Sequence, residues 1–284
     1  MRRAVEYGMI VLLLAGILFF GMRAYEEAKA YEERTVTLVS KMDAQSLAEY
    51  QAMEWAEKLS LGLYRNHQRE ALGKIRASRQ RHQQRSLHYT AYAMLLLLIL
   101  LLFYFVVSLQ IFTLFGAVAA GMVLFFGLVS PIMMVTIHKE VEYLGDVVLS
   151  FESKSVVGSV MKLFEGGDGI VATVILLFSV LIPSVKILSM MFVSLFVESR
   201  FAHSIVKFFK MIGKWSMVDV FVVATFLVYL TSDKGDVSRA EVEVGLYFFL
   251  AYVIVSMLVS LSADRMLHQK KEHREMLKES QEVL

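Results

Sequence analysis

The 284-residue sequence has no cysteine and only two prolines, Pro131 and Pro183. Without cysteine, the chain can form neither a disulfide nor a metal site built on thiolates. The sequence also lacks a phosphate-binding loop ending in Gly-Lys-Ser or Gly-Lys-Thr, a Gly-x-Ser-x-Gly turn and a His-Glu-x-x-His helix. We therefore expect that the protein is not an enzyme and that it holds no metal ion or cofactor.

Charged residues are missing from long parts of the chain. The formal net charge is only +2, which gives no indication of nucleic-acid binding. Hydrophobic residues make up 57% of the sequence, the mean hydropathy is +0.57, and the apolar residues are gathered into long runs. Residues 89–137 contain no charge over 49 positions. A helix of that length would measure about 73 Å, more than twice the hydrocarbon core of a bilayer, so this run must fold back.

This pattern predicts an all-α fold, that of a polytopic α-helical membrane protein with about six transmembrane helices. The first run follows Arg2 and Arg3 as in a signal peptide, but no small-residue cleavage pattern follows it, and we expect an uncleaved anchor. The six spans are predicted near residues 4–22, 89–110, 112–137, 170–197, 215–232 and 244–263.

The distribution of basic residues predicts that the N- and C-termini are both cytoplasmic. The loop at residues 198–214 carries four basic residues against one acidic residue, and four more basic residues follow the last span within residues 265–274. Short loops rich in Lys and Arg stay on the cytoplasmic side of a membrane. The loops at residues 138–169 and 233–243 are acidic, and we expect them on the opposite side.

The segment at residues 23–88 is predicted to form an external helical hairpin between the first two spans. It has no proline and is rich in helix-forming residues. We expect its turn at residues 35–37 and 40–43, with a second helix from about Ala44, where Ser46 and Glu49 have capping-box spacing. The hairpin could be a docking or sensory module, or simply a solvated stalk.

Polar residues inside the fourth predicted span indicate a functional site. Lys186 is the only charged residue in residues 170–197. Placing a lysine near the bilayer centre costs roughly 3 kcal/mol or more, so such residues usually serve a function. Ser179, Pro183 and Lys186 have the spacing i, i+4, i+7, which places them on one helix face. Pro183 cannot donate a backbone hydrogen bond and should kink the helix.

The fifth predicted span offers a partner for this lysine. It opens with Trp215, and Ser216 and Asp219 lie three residues apart on one face. Asp219 is the natural counter-ion candidate for Lys186, although their depths in the membrane differ. The simpler alternative is that Lys186 reaches toward cytoplasmic head groups, that Asp219 is an acid favoured at a helix start, and that Trp215 is an interfacial anchor.

Three stretches of the sequence resemble the paraquat-inducible protein A family. They are residues 128–133 (LVSPIM), 179–188 (SVLIPSVKIL) and 214–223 (KWSMVDVFVV). The resemblance covers roughly residues 112–266 as a four-span unit. It divides the chain into residues 1–111, with the first two spans and the external segment, the family-like unit at 112–266, and a charged cytoplasmic helical tail at 267–284. Many family members have zinc-ribbon cysteines and two such four-span units. This chain has no cysteine and one unit.

The resemblance implies an inner-membrane component of an intermembrane phospholipid transport system in a Gram-negative bacterium, working with a periplasmic MCE-domain protein. Lys186, Ser179 and Pro183 would then bind lipid or relay protons, Asp219 and Ser216 would organise the cytoplasmic end of the cleft, and Pro131 would bend the outer end of the third span. A second unit would have to come from another chain, such as another copy of this one in a homo-oligomer, or be dispensable. The alternatives are an ion- or proton-coupled transporter of small solutes and a membrane-anchored scaffold or sensor.

Overall fold

The computed structural model describes residues 2–40, 67–141, 145–195 and 238–282. Within these residues, five helices are long and apolar enough to cross a membrane. The predicted class, an all-α polytopic membrane protein, is therefore confirmed. The predicted span at residues 215–232 lies outside the described residues.

Two long antiparallel helices form the N-terminal part of the fold. Helix α1 runs over Arg2–Ser40 and helix α2 over His67–Leu102. They pack side by side, and a Cβ added to Gly16 of α1 would lie 2.6 Å from Leu96 Cδ1 of α2. Both helices extend well beyond the length needed to cross a bilayer, so they form the two arms of the predicted helical hairpin.

The turn predicted at residues 35–37 is wrong, because α1 continues through it to Ser40. Thr35 Oγ1 donates a hydrogen bond to Tyr31 O at 2.8 Å, and Thr37 Oγ1 donates to Glu33 O at 2.8 Å. Threonine is accommodated inside a helix in this way, because its hydroxyl bonds to the carbonyl four residues earlier. The predicted second helix start, with Ala44, Ser46 and Glu49, lies outside the described residues.

The uncharged run at residues 89–137 does fold back, at a short 3-10 turn over Phe103–Phe105. Helix α3 follows at Leu109–Val129. The third span was predicted to reach residue 137, which is wrong, because strand β1 begins at Met133. Pro131, which cannot continue a helix, lies in the link between α3 and β1 and not inside a bent span.

A three-stranded sheet, which the sequence analysis did not predict, lies at one end of the spans. Its strands are β1 at Met133–Val141, β2 at Gly145–Lys154 and β3 at Ser238–Val242. The order is β2-β1-β3, and both pairings are antiparallel. Residues 133–137 of β1, at the end of the predicted third span, pair with β3 in the acidic loop at residues 233–243. Strand β2, in the acidic loop at residues 138–169, pairs with the other edge of β1. We call this end of the bundle the sheet end.

The fourth span is built from several helical pieces. Helix α4, Val156–Glu165, leads from the sheet to a turn in which Gly167 has φ 88°, a left-handed conformation that suits glycine. Helix α5, Gly169–Leu176, then passes through a π-helical turn at Leu177–Leu181 into helix α6, Ile182–Leu195. Helix α7, Val244–Glu282, continues directly from the last span into the C-terminal segment.

The centre of the bundle is the close antiparallel pair of α3 and α7. A Cβ added to Gly127 would lie 2.8 Å from Phe249 N, and one added to Gly116 would lie 2.8 Å from Val259 Cγ2. Small residues allow such close helix contacts in membranes, where lipid gives no hydrophobic driving force between helices. Helix α6 packs on the same pair, with Ile187 against Gly121.

Candidate functional site

The π-helical turn at Leu177–Leu181 interrupts the regular hydrogen bonding of the fourth span. Ile182 N donates to Leu177 O, five residues earlier. Pro183, which is buried, has no N–H to donate to Ser179 O, four residues earlier. A π turn of this kind is often found at functional sites. The predicted irregularity at Pro183 is therefore present, as a π turn joined to a proline.

Lys186 lies one turn beyond Pro183 and faces helix α7. Its Nζ donates to Ser256 Oγ at 3.4 Å, and Lys186 makes further interactions besides this one. Ser256 Oγ in turn donates to Val253 O at 3.1 Å, and Ser260 Oγ donates to Ser256 O at 2.8 Å. The amine therefore points to a polar row on α7 formed by Ser256 and Ser260.

This amine lies near mid-depth in the bundle. The neighbouring Ile187 packs on Gly121, which is eight residues from the sheet end of α3 and twelve from its start at Leu109. At 1.5 Å per residue, these separations are about 12 Å and 18 Å. Lys186 itself is half-buried. A cation at this depth must be stabilised by polar neighbours, by water or by a bound anion.

The structure brings some of the predicted site residues together. Ser179, Pro183 and Lys186 follow one another on the π turn and α6, with Ser179 and Lys186 half-buried. Pro131 lies away from them, at the sheet end, where its carbonyl accepts a hydrogen bond from Gly245 N at 2.8 Å. The other predicted residues, Asp219, Ser216 and Trp215, lie outside the described residues.

The residues around this site match a known family. Residues 112–271, more than half of the chain, match paraquat-inducible protein A. The chain belongs to the paraquat-inducible protein A family. The matched segment of this family member contains α3, the sheet, the span with Pro183 and Lys186, and the part of α7 with Ser256. Helices α1 and α2 precede it.

One curated relative of this paraquat-inducible protein A family member comes from Haemophilus influenzae and is described as a probable intermembrane transport protein. It is 28% identical over 127 residues, which are 43% of this chain and 30% of the relative. The matched region thus spans less than a third of the relative's length. No solved structure matches the chain significantly.

A second polar cluster ties the N-terminal helices to the sheet of the paraquat-inducible protein A segment. Tyr31 of α1 is fully buried and its hydroxyl donates to Glu241 Oε2 of β3 at 2.9 Å. Arg79 of α2 donates from Nη2 to Tyr31 Oη at 2.7 Å and to Glu241 Oε2 at 3.5 Å. The Arg79 guanidinium also lies 5.1 Å from the centre of the Tyr31 ring, within cation–π range.

Glu243 lies beside this cluster and is only 2% exposed. In the part of the chain that the structure describes, no group hydrogen-bonds to its Oε1. Burial and, to a smaller extent, the negative charge of Glu241 raise the pKa of Glu243 to about 8, while Arg79 acts in the opposite direction. At neutral pH this carboxyl group is therefore mostly protonated and neutral.

Sequence reasoning missed Ser256 and the Tyr31–Arg79–Glu241 cluster. Ser256 and Ser260 have i, i+4 spacing in an otherwise apolar span, and this spacing was the available signal. The cluster left no comparable signal, because its members come from three distant segments of the chain.

Proposed function

We propose that this chain is the inner-membrane component of an intermembrane phospholipid transport system in a Gram-negative bacterium. It would pass lipid to or from a periplasmic MCE-domain protein, with the sheet end facing the periplasm and both termini in the cytoplasm. The observation that carries the proposal is Lys186, a half-buried amine at mid-depth in a span of the family-matched segment. The description of the relative as a probable intermembrane transport protein supports the same role.

The chemistry of this site suits an anionic lipid head group. The Lys186 ammonium group would form a charge-assisted hydrogen bond to a phosphate oxygen, and Ser256 would hold the amine toward α7. The π turn and Pro183 keep the span irregular at this depth, which allows a polar group to enter where a regular helix would offer none. In the proposal, Asp219 and Ser216 organise the cytoplasmic end of this path.

A purification with lipid analysis tests the proposal. Affinity-purified protein should carry phospholipid that mass spectrometry detects, together with an MCE-domain protein. Lys186→Met should remove most of this lipid and abolish lipid transfer, and Lys186→Arg should impair transfer, because the larger guanidinium does not replace a compact ammonium group. Val185→Met introduces the same methionine on the lipid-facing side of α6 and should change neither result. Normal transfer by both Lys186 variants would refute the site.

A second candidate function uses the same pair of residues. An amine hydrogen-bonded to a serine row can relay protons, which suits an ion- or proton-coupled transporter of small solutes. Proteoliposomes that contain this chain alone separate the two functions. Solute uptake without an MCE-domain partner would favour the solute transporter, whereas lipid transfer that requires the partner supports the lipid proposal.

A further inference from the structure

A cleft of about 540 Å³ opens between α1, α3 and α6, at the end of the bundle opposite the sheet. Its volume lies within the range of small-molecule binding sites, about 300–1,000 Å³. The cleft lies between helix α1, which precedes the family-matched segment, and two helices of that segment. Its walls are formed by Glu6, Tyr7, Ser108, Gln110, Ile111, Leu114, Phe115, Ser194 and Leu195.

The cleft lies at the level where lipid head groups meet the apolar part of a bilayer. Besides Glu6 and Tyr7 of α1, its lining residues come from the start of α3 and from the last turn of α6, which ends at Leu195. At the same end of the bundle, Arg265 Nη1 donates to Tyr104 Oη at 2.6 Å. Tyrosine and arginine are typical of this interfacial zone. A ligand in the cleft can therefore place a polar group in water and a chain in lipid.

One side of the cleft has the groups that recognise an ammonium ion. Glu6 supplies a carboxylate, and the rings of Tyr7 and Phe115 stand 6.1 Å apart at 57°. Aromatic faces and a carboxylate together attract a cation more strongly than either does alone. Glu6 already has an interaction within the protein, so an entering ammonium group must share or displace it.

Gln110 and Ser194 give the cleft a fixed polar wall. Gln110 Nε2 donates to Ser194 O at 3.0 Å, and Ser194 Oγ donates to Gln110 O at 2.7 Å. These two reciprocal bonds join α3 to α6 and hold the side-chain amide in place. Since its nitrogen bonds to Ser194, the amide oxygen is the atom that can still accept a hydrogen from a ligand N–H group.

The rest of the cleft fits a phosphodiester and a hydrocarbon chain. Helix α3 starts at Leu109, and the side chain of Ser108 does not cap it. The first backbone N–H groups of a helix have no partner inside it and favour an anion such as phosphate. Ile111, Leu114 and Leu195 supply the apolar surface beside these groups.

We infer that this cleft binds a phospholipid with a primary ammonium head group, of the phosphatidylethanolamine type. Glu6, Tyr7 and Phe115 hold the ammonium group, the start of α3 faces the phosphate, and the acyl chain lies along Ile111 and Leu114. This site is distinct from Lys186, which is eight residues, or about 12 Å, from Ser194 along α6. The inference does not depend on lipid transport.

Lipid binding by the purified full-length chain tests the inference. Native mass spectrometry in detergent should show that dioctanoyl phosphatidylethanolamine binds about tenfold more tightly than dioctanoyl phosphatidylcholine, whose trimethylated head group has no N–H to donate to Glu6. Glu6→Gln should remove this preference. Glu26→Gln changes an exposed glutamate of the same helix, which pairs with Arg23, and should keep the preference.

Two further measurements identify the ligand and separate this site from Lys186. Free glycerophosphoethanolamine should not displace the lipid, because it has no chain to occupy the apolar wall. Lys186→Met should keep the preference for phosphatidylethanolamine whether or not lipid transfer fails. Equal binding of the two lipids by the unmodified protein, a preference that survives Glu6→Gln, or displacement by the free head group would each overturn the inference.

Discussion

The Tyr31 hydroxyl donates to the Glu241 carboxylate at 2.9 Å, across 210 residues of sequence. This bond joins the N-terminal helix α1 to the last strand of the sheet. Arg79 of α2 donates to both residues, so three separate segments meet at one partly buried point. Helices α1 and α2 of the N-terminal hairpin therefore contact the family-matched part of the chain through these hydrogen bonds as well as through apolar packing.

Tyr31→Phe should destabilise the protein by about 1–3 kcal/mol. The substitution removes the hydroxyl and leaves Glu241 and Arg79 with one partner fewer in a partly buried place. Thermal unfolding of the purified protein in detergent measures the effect. Tyr25→Phe removes a hydroxyl from the same helix, where Tyr25 packs against the core, and should have a much smaller effect. Equal stability of the two variants would contradict the role of this contact.

Glu243→Gln should make the protein more stable at alkaline pH and leave it nearly unchanged in acid. Burial and Glu241 raise the pKa of Glu243 in the folded state from 4.5 to about 8. The unfolded chain therefore releases this proton at lower pH than the folded chain, and stability falls as pH rises between these two values. The slope is at most about 1.4 kcal/mol per pH unit. The glutamine side chain does not titrate, so the variant does not lose stability in this way as pH rises.

Unfolding temperatures measured between about pH 5 and pH 9 test this sign. Glu152→Gln is the matched control, because a hydrogen bond from Lys154 lowers the pKa of Glu152. Its contribution is fully present above the ordinary carboxyl pKa of 4.5 and is lost only at lower pH, so this variant should leave the shape of the profile between about pH 5 and pH 9 unchanged. Parallel profiles for Glu243→Gln and the unmodified protein would disprove the prediction.

Gly245→Ala should destabilise the junction between the sheet and α7 by about 1–3 kcal/mol. The added Cβ would lie 2.6 Å from Ser130 O and 2.7 Å from Pro131 O, and both are backbone atoms that cannot rotate away. Gly8→Ala on α1 meets no atom within 4 Å and should instead stabilise the helix by about 0.5–1 kcal/mol. Unfolding measurements on both variants should therefore give opposite signs.

Ser256→Ala should weaken lipid retention at Lys186 by about threefold, with little loss of stability. The bond from Lys186 is long at 3.4 Å, and hydrogen bonds between membrane helices contribute about 0.6 kcal/mol on average. Phospholipid that copurifies with the protein, quantified by mass spectrometry, measures retention. Ser260→Ala removes a hydroxyl one turn further along α7, and this variant should retain more lipid than Ser256→Ala does. Unchanged retention in Ser256→Ala would remove Ser256 from the site.

The sequence predicted the membrane class because long uncharged runs have a single physical explanation. It also located Lys186 and Pro183, since both are anomalies in an apolar helix that can be seen without a structure. The sheet was missed because residues 133–137 are uncharged and continue the preceding hydrophobic run, so only Pro131 indicated that the helix ends. The turn at residues 35–37 was misplaced because local β-branched propensity was outweighed by threonine bonds to the helix backbone.

Contacts between distant segments could not be predicted. Neither Tyr31 nor Glu241 stands out in its own segment, and only the fold brings Arg79 to them. The burial of Glu243 likewise depends on contacts with distant elements, and the acidic composition of the loop at residues 233–243 gave no indication of it. Anomalies inside one helix are visible in a sequence, whereas partnerships across the fold are not.

The pairing of β1 with β3 has a consequence for biogenesis. Met133 pairs with Val242, which lies 109 residues later in the chain. The edge of β1 that pairs with β3 therefore has no partner strand until the ribosome has synthesised the chain up to the start of the last span. Both strands must also emerge on the same face of the bilayer, although the span formed by α5 and α6 lies between them in the chain. A chain inserted with β3 on the opposite face could not complete the sheet, so formation of the sheet depends on correct insertion.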